Sequence, residues 1–489
     1  MSPAAVLLTA AGYAALLFAV AWIAGRRADN AGFFLGNRRT PWYMAALAMI
    51  GSAMSGVTFI SVPGSVAADS FSYMQMVAGF TVGQLLVAFV LIPVFYRLRV
   101  VSLYEYLGRR FGPVSHRTGA WFFFLSKMSS GAMKVYVVCT VMQLLVFDRY
   151  GLPFWLNAAA TMALVWLYTR QGGVRSLIWT DSLQTLCLVA SIAATIVCVV
   201  SALGLSAGDA VREVAASPMS RMIFLDDPAS GRYFWKMFVA GIVLLVAMTG
   251  LDQDMMQRNM SCPSPRAAQK NVVLTALCQI VVILAFLFLG VLLYRYSEFR
   301  GGLFPDGDRL FPAVAVDGGL PAVVGVLFVA GLVSSTWSTA GSALTALTTS
   351  FTIDLLDGPR RFGERPLARV RRGVHLLLAV CMTVLILAVR YLADDSLINL
   401  FFRVAGYTYG PILGLFLFGL ATRRRPRERW VPAAALAGPA AGFALQWAAA
   451  RWWGWQIGFE LLLYNALAVF AGLWLLSFGR GSVNRVSDK

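Results

Sequence analysis

Gly331-Leu332-Val333-Ser334-Ser335-Thr336-Trp337-Ser338-Thr339-Ala340-Gly341-Ser342 lies in the middle of an apolar run from 319 to 355. A bilayer is crossed by roughly 20 apolar residues in a helix, so the run is long enough to span one. Read at helical pitch, Ser335, Ser338, Thr339 and Ser342 fall at i, i+3, i+4 and i+7 and share one face. Several neutral oxygens on one face inside a bilayer suit a hard cation such as sodium, with freed backbone carbonyls as further ligands. The same hydroxyls can instead bond the carbonyl one turn back, or let two helices approach closely. Spacing alone does not choose between these.

The rest of the chain agrees with a membrane setting. Of 489 residues 59% are hydrophobic and 13% charged, and the mean hydropathy is +0.70. That excludes an ordinary soluble enzyme and a disordered chain. Thirteen apolar runs are candidate spans: 4–24, 42–66, 74–96, 118–147, 154–169, 177–203, 233–256, 272–296, 319–355, 373–392, 398–421, 430–450 and 458–479. They are continuous rather than alternating, which points to an all-α polytopic membrane protein and not to a β-barrel. The overlong fourth and ninth runs suggest tilt or a break. The first run, without a basic leader or a cleavage motif, reads as a retained helix.

The net charge of +18 follows topology rather than nucleic-acid binding. Loops at 25–40, 97–117, 170–176, 257–271, 357–373 and 422–429, with the tail 480–489, hold 28 of the 41 Lys and Arg. The positive-inside rule places these in the cytoplasm, with the N-terminus outside, the C-terminus inside and the chain in a plasma membrane of bacterial inner-membrane type. Six scattered cysteines, no CxxC and two histidines argue against a disulfide scaffold or a Cys/His metal site. No large polar domain or P-loop supplies ATP chemistry, and no HExxH supplies a catalytic zinc centre. No cofactor is expected beyond a coupling ion.

Four further stretches stand out. Gly51-Ser52-Ala53-Met54-Ser55-Gly56-Val57-Thr58, followed by Pro63-Gly64, reads as a span that unwinds in mid-membrane and frees carbonyls. Asp181, in Trp179-Thr180-Asp181-Ser182-Leu183-Gln184, is an intramembrane acid and so a functional candidate. Thr249-Gly250-Leu251-Asp252-Gln253-Asp254 closes a span with Arg258 beyond it. There Asp254 and Arg258 read as interface residues rather than a gate. Lys134 sits in mid-span and needs an acid, a carbonyl or an anionic substrate, whereas Lys127 is placed to snorkel. Arg403 to Pro411, with Tyr407, Gly410 and Pro411, predicts a bend.

In this order the Gly172-Gly173…Trp179-Thr180-Asp181…Gln184 segment, the serine-rich 335–342 segment ending in Thr352-Ile353-Asp354, and Tyr407-Thr408-Tyr409-Gly410-Pro411 resemble the sodium:solute symporter family, in flavour its bacterial sialic acid and sugar acid members. The resemblance implies a leucine-transporter-like fold of about 13 helices. One extra helix (4–24) comes first, then two inverted five-helix repeats (42–203 and 233–421), then two C-terminal helices (430–479). It implies a principal sodium site from the carbonyls of Gly51, Met54 and Ser335 and the hydroxyls of Ser338 and Thr339. A possible second sodium falls on Asp181, Ser338 and Ser342, with Gly341 where relatives carry another serine. Substrate contacts are implied for Ser55, Thr58, Tyr73, Lys134 and Tyr407.

The expected function is sodium-coupled import of a small organic solute, conceivably a carboxylate-bearing sugar acid. A single chain suffices, with sodium, solute and lipid as its partners and no nucleic acid. A proton-coupled carrier using Asp181, and a non-transporting sensor or channel, stay open on the same scaffold.

Overall fold

A computed structural model describes residues 2–25, 29–392, 397–453, 455 and 457–478; the tail expected at 480–489 lies outside them. The described residues form helices and connecting turns, with no strand. Helix α1 (Pro3–Gly25) precedes a span broken in two, α2 (Trp42–Ala53) and α3 (Gly56–Gly64), bent by 60°. Helices α4 (Tyr73–Leu98), α5 (Pro113–Tyr150), α6 (Phe154–Gly172) and α7 (Val174–Ala202) follow. A second broken span, α8 (Phe234–Gly250) and α9 (Gln253–Met260), bends by 65°. The chain then runs through α10 (Pro265–Phe299), α11 (Ala322–Leu355), α12 (Glu364–Leu392), α13 (Leu397–Ala421), α14 (Val431–Trp453) and α15 (Leu461–Leu476). Among the described residues nine helices are long and apolar enough to cross a bilayer, or up to eleven if each bent pair is one span. Helices α6 and α15 stand where the sequence places two further runs.

The breaks fall where small residues let helices come close. A Cβ on Gly51 would lie 2.6 Å from Thr185 Oγ1 and 2.8 Å from the Asp181 carbonyl, so only glycine lets α2 lie this tightly on α7. The side chains of α7 then bond the backbone of α2, Thr185 within the helix and Gln184 at its end. Thr185 donates to Leu47 O at 2.6 Å and Gln184 Nε2 to Gly51 O at 3.1 Å. A helix end leaves its last four carbonyls unpaired, and side chains of a neighbour are one way to satisfy them. In the second broken span a π-helical turn over Val246–Gly250 ends at Asp252. Its carboxylate caps α9 by accepting from Asp254 N at 2.8 Å and Met255 N at 3.4 Å.

Two expectations change here. The overlong runs become unbroken helices that each contain a π-helical turn, Gln143–Phe147 in α5 and Phe351–Leu355 in α11. Around Pro411, where a bend is expected, one helix runs unbroken through Leu397–Ala421 with the proline inside it. Asn465 of α15 donates to Gly406 O at 2.9 Å, so the neighbouring helix takes up a backbone group close to the ring.

Candidate functional site

Both breaks open onto one cavity of about 130 Å³. Ser52, Met54, Ser55 and Thr58 reach it from the first broken span, and Thr249 and Asp252 from the second. Tyr73 of α4, Lys127 and Lys134 of α5, Gln279 of α10 and Tyr409 of α13 complete its polar wall. Phe80, Leu244, Leu245 and Ile283 make it apolar elsewhere. Lys127 and Lys134 are seven residues apart, two helical turns, and so share one face of α5.

Beside the cavity the first break lies along α11. Ser52 Oγ is 3.5 Å from Ser342 Oγ, and a Cβ on Gly56 would sit 3.3 Å from Ser335 Oγ. Ser338 and Thr339 fall between these two contacts on the same face. The hydroxyls of Ser335 and Thr339 donate back along their own helix, to Leu332 O and Ser335 O at 2.9 and 2.8 Å. Across the gap, no described donor reaches the carbonyls of Ser52, Ala53 or Met54, although Ser52 and Met54 are buried. Unpaired buried carbonyls are costly in a bilayer unless a ligand or water meets them.

A network of buried charges closes the other side. Lys127 Nζ reaches Asp252 Oδ2 at 3.1 Å and Asp254 Oδ2 at 2.7 Å, and Tyr409 donates to Asp252. Arg258, 2% exposed, donates through Nε and Nη2 to Asp181 Oδ2 at 3.2 and 2.7 Å. It also donates to the Asp254 carboxylate and to Ser342 Oγ, while Ser338 donates to the other oxygen of Asp181. Each buried ion thus meets a partner of opposite sign, which is the condition for carrying charge in a bilayer.

Several readings of individual residues shift accordingly. Ser55, Thr58, Tyr73 and Lys134 come together on the cavity wall with Met54. Tyr407 turns instead to α14 and donates to Gln446 Oε1 at 2.8 Å, while Tyr409 faces the cavity. Residues two apart on a helix point about 200° apart, so only one of the two can face inward. Lys127 turns inward to two acids rather than outward to the headgroups. Asp254 and Arg258, read from sequence as interface residues, are core members of the network. Gly341 has a steric reason: a Cβ there would run into the Tyr168 phenol and sit 2.9 Å from Thr169 Cγ2, while Tyr168 donates to Trp337 O. A serine hydroxyl has no room.

The model of the sodium:solute symporter family matches residues 33–429. The human sodium/iodide cotransporter is 27% identical over 402 residues, covering 79% of this chain and 60% of that protein. The human sodium-coupled monocarboxylate transporter 1 is 28% identical over 446 residues, covering 87% and 69%. The chain therefore spans about two thirds or less of the length of these relatives. Among solved structures, the substrate-bound outward-open state of a Na+-coupled sialic acid symporter superposes with a TM-score of 0.84 at 18% identity, covering 99% of both chains. That likeness establishes the leucine-transporter-like fold.

Proposed function

The chain belongs to the sodium:solute symporter family, and on that premise we propose that it is a membrane carrier coupling sodium influx to the import of a small organic anion by alternating access. One observation carries this reading. No described donor reaches the carbonyls of Ser52, Ala53 and Met54, and this break lies along the hydroxyl-bearing stretch of α11 beside a cavity that also holds Lys127 and Lys134.

The sodium would be held by the carbonyls of Gly51, Met54 and Ser335 with the hydroxyls of Ser338 and Thr339. Gln184 already donates to the Gly51 carbonyl, whose second lone pair is left for the ion. Such an ion bridges the bent span to α11 and favours the arrangement in which the cavity is formed. Coupling then means that sodium binds substrate-competent states better than the alternatives. Of the residues proposed for a second sodium, Asp181 and Ser342 accept from the Arg258 guanidinium and Ser338 donates to Asp181. That supports a single sodium, and it disfavours Asp181 as a proton carrier.

Two ammonium groups on the cavity wall suit an anion, with Ser55, Thr58, Tyr73 and Tyr409 as polar contacts. Size narrows the choice: an apolar cavity of about 150 Å³ takes up benzene, so this one suits roughly six heavy atoms. On that measure we favour a short carboxylate over a sugar acid. We place residues 42–203 and 233–421 as the two inverted repeats, because each opens on a broken span, and the arginine-rich loops in the cytoplasm with the N-terminus outside.

Proteoliposomes test this directly. Labelled short monocarboxylates should accumulate under an inward sodium gradient and stop when choline replaces sodium. Accumulation that continues in choline sinks the coupling. Failure of every short carboxylate to compete for uptake sinks the substrate assignment.

A further inference from the structure

Away from the cavity, on the arginine-rich side, three guanidiniums converge on one open recess. Arg38, Arg97 and Arg99 line it together with Pro93, Tyr96, Pro263 and Pro265, and none of these lining residues is acidic.

The backbone is held in an uncommon shape to arrange this. Arg38 and Arg99 are in the left-handed region, at φ 53° and 49°. Residues with a Cβ seldom adopt that conformation, and where they do the surroundings must hold them there. Arg38 Nη2 donates to Val100 O at 3.2 Å, and its guanidinium lies over the Tyr96 ring. Tyr96 in turn donates to Asn259 O and Cys262 O at 2.9 and 2.8 Å, and Thr40 N to Ser261 O at 3.0 Å. The recess is therefore the junction of the segment leading into α2, the end of α4 and the turn after α9. The candidate span α4 ends at Leu98, so Arg97 and Arg99 stand at its end.

We propose that this recess binds a phosphoryl group, and that its occupant holds the two broken spans together at their arginine-rich ends. The guanidinium fork matches phosphate oxygens in pairs, and basic pockets between helices on the cytoplasmic face are where anionic headgroups bind. By clamping the entrance of α2 to the exit of α9, the anion stabilises the conformation closed on that side. The site is separate from the transport cavity and does not depend on which solute is carried.

The test uses purified full-length protein in vesicles of phosphatidylcholine alone or with phosphatidylglycerol, and in detergent with inorganic phosphate or pyrophosphate. Unfolding temperature is the readout. Phosphatidylglycerol should raise it for the wild type, with apparent affinity falling about fivefold for each guanidinium removed. Arg99→Gly is the informative variant, because glycine accepts the left-handed backbone and the protein should fold as well as before. The triple variant Arg38→Gln/Arg97→Gln/Arg99→Gly should lose the shift. Arg360→Gln, an exposed arginine elsewhere on the same side, should keep it. A shift from inorganic phosphate or pyrophosphate without lipid would support the phosphoryl site and name a soluble source. Equal shifts in wild type, Arg99→Gly and the triple variant, or equal loss in Arg360→Gln, would overturn the proposal.

Discussion

At Met54–Ser55 the first broken span is surrounded by hydroxyls and bare carbonyls. At Leu251–Asp252 the second is surrounded by Lys127, Asp254, Arg258 and Asp181. Both interrupt an apolar span, and both must give their exposed backbone groups partners. The second does so internally, since Asp252 caps α9 and is itself held by Lys127 and Tyr409. The first is completed only in part, by Gln184. A break that brings its own counter-ions is set by the fold, whereas one that lacks them responds to whatever ion arrives.

That contrast fixes the order of expected effects. Arg258→Ala strikes the self-sufficient break and should do the most damage. It leaves Asp181 buried without its cation and Asp254 with Lys127 alone, a loss of about 3–5 kcal/mol that thermal unfolding and expression yield would reveal. Pairing it with Asp181→Asn should recover part of the loss, and if the double variant is no better than the single one the two residues are not coupled. Ser338→Ala strikes the incomplete break: sodium affinity in uptake assays should fall by about tenfold or more, as expected for a lost bond to a charged group of roughly 1.5–3 kcal/mol. An unchanged sodium dependence in that variant removes the proposed ion site.

Gly56→Ala sharpens the comparison at the same break. Its methyl group would meet Val138 Cγ2 at 2.5 Å and push α3 away from Ser335, at an overpacking cost of about 1–3 kcal/mol. Sodium should recover little of that stability if the gap has widened. Tyr407→Phe is the smallest change, about 0.5–1.5 kcal/mol in stability from the lost bond to Gln446. Transport by it should match the wild type, whereas Tyr409→Phe should raise the solute KM.

The sequence carried the first break, through glycine and small polar residues in a long apolar run, whereas the second reads from sequence as the end of a span. The hydroxyl face of α11 was equally legible from its spacing. The partners of the buried charges were not. Asp181 and Arg258 are 77 positions apart, and Lys127 and Asp252 are 125 apart. A lone cation near a span end looks the same whether it reaches for headgroups or for an acid on another helix. The choice between Tyr407 and Tyr409 was hidden for a related reason: α13 is packed on several sides, by α5, α14 and α15, so apolar periodicity does not tell which side holds the cavity. Gly341 could be seen as a departure from relatives, but its cause, the phenol of Tyr168, lies on a helix far away in the chain.

Lys127, Lys134 and Arg258 stand against Asp181, Asp252 and Asp254 around the cavity, three cations for three carboxylates among the described residues. Lys127, Lys134 and Asp252 line the cavity itself, and the other three charges of the balanced set lie beside it. A monovalent acid joined by one sodium would leave that balance undisturbed, so the loaded carrier would cross between its two faces unmoved by voltage, and a depolarised cell would feed as well as a polarised one.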